Sequence, residues 1–158
     1  MTRRPPDLDL HPVEVDDRFL RSWPLPQPDA EGDKEERGRV LVIAGSREMP
    51  GALILAATAA LHAGAGKLTV ATAASVARLV ATAIPEARVI ELAETEAGGI
   101  HPSAVERVRE LLPRVDAVLV GPGMQDEAAV CAFCAALLEG MSPAALVLDA
   151  AAMGVVRG

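Results

Sequence analysis

Residues 38–72, GRVLVIAGSREMPGALILAATAALHAGAGKLTVAT, contain one complete strand–helix–strand unit. The run 39–44 (RVLVIA) is short, nearly continuous in apolar side chains and rich in β-branched residues, which is typical of a strand covered on both faces. An Ala- and Leu-rich stretch, 50–65, begins at Pro50, whose missing N–H costs nothing in a first helical turn. A second strand follows at 67–72. This order predicts a parallel pair joined by a right-handed crossover helix.

The rest of the sequence repeats the alternation. Further strands are predicted at 87–92, 116–120 and 145–148, and further helices at 74–82, 102–112 and 127–138. Strands that alternate with helices pair in parallel, so the predicted fold class is α/β: a doubly wound parallel sheet with helices on both faces. The sequence ends after about five predicted strands, and we therefore expect a truncated sheet.

Residues 1–30 differ from the remainder because they are rich in proline and charge. Prolines at this density exclude an interior strand or a long helix. Within this arm, 16–23 (DDRFLRSW) is predicted to form a short helical turn with Phe19, Leu20 and Trp23 on one side. Those side chains either dock on a neighbour or belong to a loose tail. Residues 31–158 are predicted to form the domain.

Composition excludes several classes of function. The net charge of -7 and the aromatic content of 2% argue against a nucleic-acid-binding protein, which would normally show a basic surface and stacking side chains. No run approaches the ~20 apolar residues of a membrane span. Arg3 and Arg4 are followed by prolines and acids instead of an apolar stretch, so they do not indicate a signal peptide. The expected location is the cytoplasm.

Cys131 and Cys134 form a CxxC inside a predicted apolar helix. This spacing could indicate a redox pair or half of a zinc site. A zinc site would need further ligands, but the three histidines are scattered without metal-ligand spacing. A redox pair would be expected at a helix N-terminus. Buried structural thiols are the preferred interpretation.

Ligands of open α/β sheets bind at the carboxyl ends of the strands. The first such loop, 44–52, contains Gly45, Ser46, Gly51 and Ala52 and runs into a helix N-terminus that offers free N–H groups. It could hold a phosphate or a carbonyl, or be a simple glycine-containing turn. The segment 64–67 (GAGK) is not a phosphate-binding P-loop, because Leu61 and Leu68 replace its required Gly and Ser/Thr. It is predicted to end a helix.

Two later strand ends complete the candidate site. Gly121 and Gly123 flank a proline in a rigid turn whose backbone could face a flat or phosphorylated ligand. Asp149 ends the fifth predicted strand. Its carboxylate could bind ribose hydroxyls or a metal ion, or cap the next helix.

The segments 38–72, 120–123 (VGPG) and 147–150 (VLDA) together resemble the ADP- or ATP-dependent NAD(P)H-hydrate dehydratases of the ribokinase-like superfamily. The segments 20–26 (LRSWPLP) and 33–34 (DK) resemble the lead-in of bacterial members. The resemblance implies an enzyme that activates the ring hydroxyl of hydrated NADH or NADPH with a nucleoside phosphate and eliminates it as water. It implies ADP or ATP, with Mg²⁺, as the cofactor, bound mainly by the second half of the family's domain.

The resemblance also suggests which residues contact the substrate. Ala52 and Gly123 are carried over as contacts to the hydrated nicotinamide. Further candidates are Gly45, Ser46, Gly51, Gly121 and Asp149. Glycines and other small residues suit this role, because the ligand can approach their backbone closely and be held by N–H donors.

The sequence departs from the family pattern in two places. Residues 151–154 read AAMG, where the family continues with a second Asp and then Ala-Leu-Asn. The family's Thr-Pro-His-Pro-Gly-Glu and Gly-Thr-Gly-Asp segments do not occur in these 158 residues, so no catalytic base is named. We expect 31–158 to be the N-terminal half of a domain that needs a homo-oligomer or a complementing chain, and no turnover by this chain alone. The alternatives are a vitamin-precursor kinase of the same superfamily and a non-catalytic nucleotide-binding or assembly half-domain.

Overall fold

The computed structural model describes residues 14–23, 37–141 and 144–157. The predicted domain boundary at residue 30 lies outside the described residues, as do the family-like lead-in positions 24–26 and 33–34. All three loops of the candidate site lie inside them.

The core of the fold is a five-stranded sheet in which every neighbouring pair is parallel. The strand order is β3-β2-β1-β4-β5. The strands are β1 Arg39–Ile43, β2 Lys67–Ala73, β3 Arg88–Leu92, β4 Ala117–Val120 and β5 Ala145–Leu148. The α/β class, the parallel sheet and all five strands are thereby confirmed.

Helices cover both faces of the sheet, as predicted. They are α2 Pro50–His62 and α3 Ala74–Ala83 on one face, and α4 Val105–Arg109 and α5 Glu127–Glu139 on the other. A further short helix, α1 Asp17–Ser22, contributes no buried residue. The single helix predicted over 102–112 was wrong in detail. It is a short 3₁₀ turn (Pro102–Ala104), then α4, then a second 3₁₀ turn (Leu112–Arg114). Pro113 explains part of this break, because it has no N–H to continue an α-helical ladder.

Alternating side chains of β1 enter two separate cores. Leu41 and Ile43 pack on one face, in a cluster that includes Phe133 of α5. Val42 packs on the other face, in a cluster that includes Leu53 of α2. All five side chains are fully buried. This two-residue alternation explains why the strand reads as a continuous apolar run: both of its faces are covered.

The C-terminal end of α2 is closed by Gly64, as predicted for the GAGK segment. Gly64 has φ +103° and its N–H donates to the carbonyl of Leu61 at 3.0 Å. The next N–H, from Ala65, donates to the carbonyl of Ala60 at 3.1 Å. This pair of bonds is the Schellman arrangement, which satisfies carbonyls left open at a helix end.

The strand order places a topological switch between β1 and β4. The chain leaves β1 through α2 towards β2, and it leaves β4 through α5 towards β5 on the opposite face. Open α/β sheets bind ligands where two loops diverge in this way, at the carboxyl ends of their strands, and we call this place the switch-point crevice. The crevice lies beside Gly45 and Gly121, two of the predicted site residues.

The helix α1 confirms the short helical turn predicted for 16–23. Asp16 caps it by accepting the N–H of Phe19 at 2.7 Å, and the rings of Phe19 and Trp23 meet edge to face at 6.2 Å between centroids. None of its residues is buried, and Trp23 is 73% exposed. Across the described parts of the chain, no helix is both long and apolar enough to cross a membrane.

The two cysteines lie in α5, with Cys134 fully buried and Cys131 partly exposed. Burial, and secondarily the neighbouring Cys131, raises the pKa of Cys134 from 9.0 to about 11.

A thiol reagent at pH 8 is therefore expected to label one cysteine in the folded chain and two in denaturant. Because the unfolded thiol ionises first, Cys134 should also make stability fall as pH rises from about 9 to 11. Labelling of both thiols in the folded chain at equal rates would contradict this assignment.

Candidate functional site

The loops after β1 and β4 are joined backbone to backbone at the switch point. The N–H of Gly45 donates to the carbonyl of Pro122 at 2.8 Å. The N–H of Gly121 donates to the carbonyl of Ile43 at 3.1 Å. Two predicted site residues, 76 positions apart in sequence, therefore face each other across one pair of main-chain hydrogen bonds.

Ser46 fastens the same two loops through its side chain. Its hydroxyl donates to Oε1 of Gln125 at 2.8 Å and accepts the N–H of Met49 at 3.3 Å. The residue is fully buried. The structure thus places Ser46 behind the crevice as a connection between loops, and its role as a substrate contact stays a prediction. Gln125 was missed at the sequence level, where nothing distinguishes it from a surface glutamine.

Gly123 packs directly against the first turn of α2. A Cβ on Gly123 would lie 2.7 Å from Cβ of Ala52 and 2.8 Å from the carbonyl oxygen of Met49. Its φ of +68° is also in the left-handed region that favours glycine. The structure therefore brings together Ala52 and Gly123, the two residues that the family resemblance named first. Both remain partly exposed at the mouth of the crevice.

The N-terminal end of α2 points its N–H groups out of the helix beside Gly123. Met49 occupies the N-cap position and makes no side-chain cap, and Pro50 follows as the first helical residue. Gly51 is exposed, and a Cβ on it would have no described atom within 4 Å. A helix end with this geometry carries a partial positive charge and free donors suited to polar or anionic groups.

Asp149 directly follows β5, next to the glycine turn. Its N–H donates to the carbonyl of Val120 at 2.9 Å, and its own carbonyl accepts the N–H of Ala152 at 3.1 Å. Both backbone groups of Asp149 are therefore used in the turn that follows β5. The residue itself is exposed at the carboxyl ends of the strands. A Cβ on Gly121 would overlap the backbone oxygen of Asp149. The two predicted site residues are therefore in van der Waals contact.

A fourth loop, between β3 and α4, contacts the loop after β1 and was missed at the sequence level. The N–H of Arg47 donates to the carbonyl of Gly98 at 2.9 Å, and its guanidinium lies 3.4 Å from Glu94. The Glu94 carboxylate in turn accepts the N–H of Ser75 at 2.6 Å and its hydroxyl at 2.9 Å, which caps α3. The Gly98-Gly99 pair that follows β3 was the available signal for this loop.

Two residues with left-handed backbone lie in these loops although they are not glycines. Asp126 has φ +68° after β4, and Ala150 has φ +48° after β5. Asp126 also caps α5 by accepting the N–H of Ala129 at 3.3 Å. Non-glycine residues in this region are uncommon and concentrate at functional loops. Their position at the carboxyl edge agrees with a binding site there.

Thr72 contributes a buried hydroxyl behind Gly45. Its Oγ1 has no hydrogen-bond partner among the described residues, and a Cβ on Gly45 would lie 3.0 Å from it. An unsatisfied buried hydroxyl costs about 1–3 kcal/mol. Replacing it with an isosteric methyl group should remove that cost, so Thr72→Val is expected to raise the free energy of unfolding by about 1 kcal/mol. Urea denaturation checks this, and a clear loss of stability would show that the hydroxyl has a partner.

Metal coordination finds no support in the described part of the chain. No three His, Cys, Asp or Glu side chains come together there in a way that could hold a metal ion. Asp149 alone does not form such a site. The described candidate residues offer backbone N–H groups, glycines, small side chains and the exposed carboxylate of Asp149.

The family model described as NAD(P)H-hydrate dehydratase matches residues 40–157. The ADP-dependent (S)-NAD(P)H-hydrate dehydratase of Xanthomonas campestris pv. campestris is 47% identical over 137 residues, covering 85% of this chain and 45% of that protein. A bifunctional NAD(P)H-hydrate repair enzyme of Moorella thermoacetica is 38% identical over 132 residues, covering 84% of this chain and 25% of its own length. This chain thus spans less than half of the relatives that it matches.

Solved structures likewise match this chain over less than half of their own length. A ribokinase-like superfamily protein from Enterococcus faecalis V583 superposes with a TM-score of 0.68 at 25% identity, over 82% of this chain and 42% of that one. The ADP/ATP-dependent NAD(P)H-hydrate dehydratase of Bacillus subtilis, co-crystallised with ATP and Mg²⁺, superposes with a TM-score of 0.66 at 28% identity. That match covers 86% of this chain and 45% of the Bacillus chain.

Proposed function

This chain belongs to the NAD(P)H-hydrate dehydratase family, and we propose that it provides the substrate-side half of an enzyme that dehydrates hydrated NADH or NADPH. The reaction would restore the working cofactor and would depend on ADP or ATP. The observation that carries the proposal is the contact of Gly123 with Ala52 at the mouth of the switch-point crevice. These are the residues that the resemblance assigns to the substrate.

The crevice suits a nicotinamide-type ligand for physical reasons. Small residues at Ala52 and Gly123 let the glycine turn and the first turn of α2 pack closely, and both residues stay partly exposed, so a flat ring could lie against their backbone. The open N-terminal end of α2 offers N–H donors and a partial positive charge to carbonyl or phosphate oxygens. The exposed carboxylate of Asp149 could accept hydrogen bonds from hydroxyls of the ligand. These groups bind and orient the substrate.

The nucleotide, when bound, would supply the activation that makes the ring hydroxyl a leaving group. This chain's own part is to hold the hydrated ring and to limit its motion, which lowers the entropic barrier to the reaction. The described residues hold no cluster that fits a metal ion, so none of them is assigned to Mg²⁺. None of the candidate residues is assigned to proton removal.

Assembly with another polypeptide is part of the proposal. On its outer edge β5 has no strand partner among the described residues, and Val147 on it is 56% exposed. Beside it, a shallow apolar cavity of about 460 Å³ is lined by Leu146, Leu148, Met153 and Val156. An exposed apolar strand edge favours pairing. A second copy or a complementing chain would cover it, and the cytoplasm is the proposed location.

Calorimetric titration with NADPH, as a stand-in for the hydrated form, tests the proposal. We expect NADPH to bind the purified chain without ADP, and we expect dehydration of hydrated NADPH only when a complementing chain and ADP are present. Absence of NADPH binding would contradict the substrate-side assignment and would favour a non-catalytic assembly half-domain. Phosphorylation of a vitamin-precursor alcohol by the complemented chain would favour the superfamily's kinase activity instead.

A further inference from the structure

The loop between β3 and α4, residues 93–101, contacts both loops that border the switch-point crevice. On one side, a Cβ on Gly98 would lie 2.7 Å from Cβ of Arg47, in the loop after β1. On the other side, a Cβ on Gly99 would lie 2.5 Å from the carbonyl oxygen of Gln125, in the loop after β4. Both glycines are buried. The β3–α4 loop therefore packs against the two crevice loops with no room for a side chain between them.

Hydrogen bonds within the β3–α4 loop fix its shape. The N–H of Thr95 donates to the carbonyl of Gly99 at 2.8 Å, and the N–H of Gly99 donates to the Thr95 hydroxyl at 3.2 Å. The N–H of Gly98 donates to the carbonyl of Thr95 at 3.0 Å. Glu94 and Ile100 pair as an antiparallel bridge at the base of the loop, and Ile100 is fully buried. The backbone of Glu94 is thus held in one place.

The carboxylate of Glu94 joins this loop to two other segments. It accepts the N–H of Ser75 at 2.6 Å and the Ser75 hydroxyl at 2.9 Å, in the first turn of α3. Its Oε1 also lies 3.4 Å from the guanidinium of Arg47. The side chain of Glu94 is 13% exposed, whereas that of Arg47 is 50% exposed. Because the carboxylate is largely covered, water and salt screen its contacts less than they screen those of a surface ion pair.

Arg47 carries this connection to the crevice. Its backbone N–H donates to the carbonyl of Gly98 at 2.9 Å, and its guanidinium donates to the carbonyl of Glu96 at 3.2 Å. Gly45 and Ser46, two of the predicted site residues, directly precede Arg47 in the chain. The position of their backbone therefore depends on where the β3–α4 loop holds Arg47.

We propose that Glu94 is a positioning residue for the ligand of the switch-point crevice, and that it acts through Arg47 on the loop after β1. The identity of the ligand in this inference rests on the proposed function. A carboxylate near the crevice would by itself repel the phosphate groups of NADPH. Removing the charge of Glu94 should therefore raise NADPH affinity if the carboxylate acts by charge alone, and lower it if the carboxylate positions the loop. The sign of the effect separates the two roles.

Calorimetric titration of the full chain with NADPH measures that sign. Glu94→Gln is expected to weaken NADPH binding by about fivefold or more, because the loop after β1 loses its charged contact. Arg47→Gln should weaken binding as well. If Glu94 acts through Arg47, the double variant should bind NADPH no more weakly than the weaker of the two single variants.

Ser75→Ala is the matched control. It removes a hydrogen bond to the same carboxylate, but on the side of α3, and it leaves the contact of Glu94 with Arg47 in place. We expect Ser75→Ala to lower the unfolding temperature and to keep NADPH affinity within about twofold. Thermal unfolding of every variant checks that the chain is folded. If Glu94→Gln does not fold, Arg47→Gln and Ser75→Ala still provide the comparison.

A second measurement needs no ligand. The N–H groups of Gly45 and Arg47 donate to the carbonyls of Pro122 and Gly98, so their hydrogen exchange reports how firmly the loop is held. We expect exchange at both groups to be faster in Glu94→Gln, or in Arg47→Gln, and unchanged in Ser75→Ala. This result decides the positioning role even if NADPH does not bind, which would contradict the proposed function alone.

Three results would overturn the proposal. Tighter NADPH binding in Glu94→Gln would show that the carboxylate acts on the ligand by repulsion. Unchanged hydrogen exchange at Gly45 and Arg47 in Glu94→Gln would show that the loop after β1 does not depend on it. Equal loss of affinity in Ser75→Ala and Arg47→Gln would assign the effect to the general stability of this end of the sheet.

Discussion

Gly121→Ala is expected to lower the free energy of unfolding by about 3 kcal/mol or more, the largest stability effect of any substitution considered for this chain. The added Cβ would overlap the backbone oxygen of Asp149 and lie 2.8 Å from its carbonyl carbon. Backbone atoms of a paired strand end cannot move aside as a flexible side chain can. The φ of +127° adds strain that alanine cannot avoid.

Gly51→Ala is the matched control for this prediction. It adds the same methyl group at the same crevice, but no described atom lies within 4 Å of the new Cβ and the φ is not in the left-handed region. Because alanine restricts the unfolded chain and favours helix, we expect no loss and a gain of up to about 1 kcal/mol. Urea denaturation followed by circular dichroism measures both variants. Similar stabilities for the two would contradict the proposed packing of β4 against the end of β5.

Gly123→Val is expected to weaken NADPH binding by about tenfold or more, which corresponds to about 1.4 kcal/mol. The new side chain would meet Cβ of Ala52 at 2.7 Å and the carbonyl oxygen of Met49 at 2.8 Å. The glycine turn would therefore have to move away from α2 and disturb the mouth of the crevice. The clash is within the protein itself. We expect the two loops to separate, so that the ligand can no longer approach their backbone closely.

A second glycine separates this effect from backbone strain. Gly64→Val also places a β-branched side chain at a positive φ, +103°, but no described atom lies within 4 Å of its Cβ and it lies at the opposite end of α2. We expect it to lose some stability and to keep its NADPH affinity. Calorimetry and thermal unfolding on both variants decide the matter. Unchanged affinity in folded Gly123→Val would remove Gly123 from the site.

Much of the fold could be predicted because its signals are local. The five strands are short β-branched runs, and α2, α3 and α5 begin and end near their predicted bounds. The segment 102–112 failed because the pattern of apolar residues fits one helix, whereas the structure breaks it into an α-helical turn between 3₁₀ turns. The spacing of apolar residues indicates which side of a segment is buried. It does not indicate whether each N–H bonds to the carbonyl of an α-helix or to that of a 3₁₀ turn.

The site was predictable only in part, for a related reason. Glycines and a strand-end acid mark Gly45, Gly121, Gly123 and Asp149 as candidates, and the structure brings these together. The partners that hold the loops, Gln125 and Glu94, carry no local signal, because their importance comes from residues 79 and 19 positions away. The substrate roles of Gly45, Gly121, Gly123 and Asp149 remain predictions that the binding experiments test.

The amino-acid sequence by itself determined the α/β class, the parallel pairing and the edge of the sheet where the loops with glycine converge. It did so because burial on both strand faces, helix periodicity and glycine conformations are properties of short segments. Tertiary structure alone decided the strand order, the contact of Gly123 with Ala52 and the hydrogen bonds that join the loops after β1 and β4. Those features depend on which strands become neighbours, and that choice follows from the packing of α2 and α5 on opposite faces of the sheet.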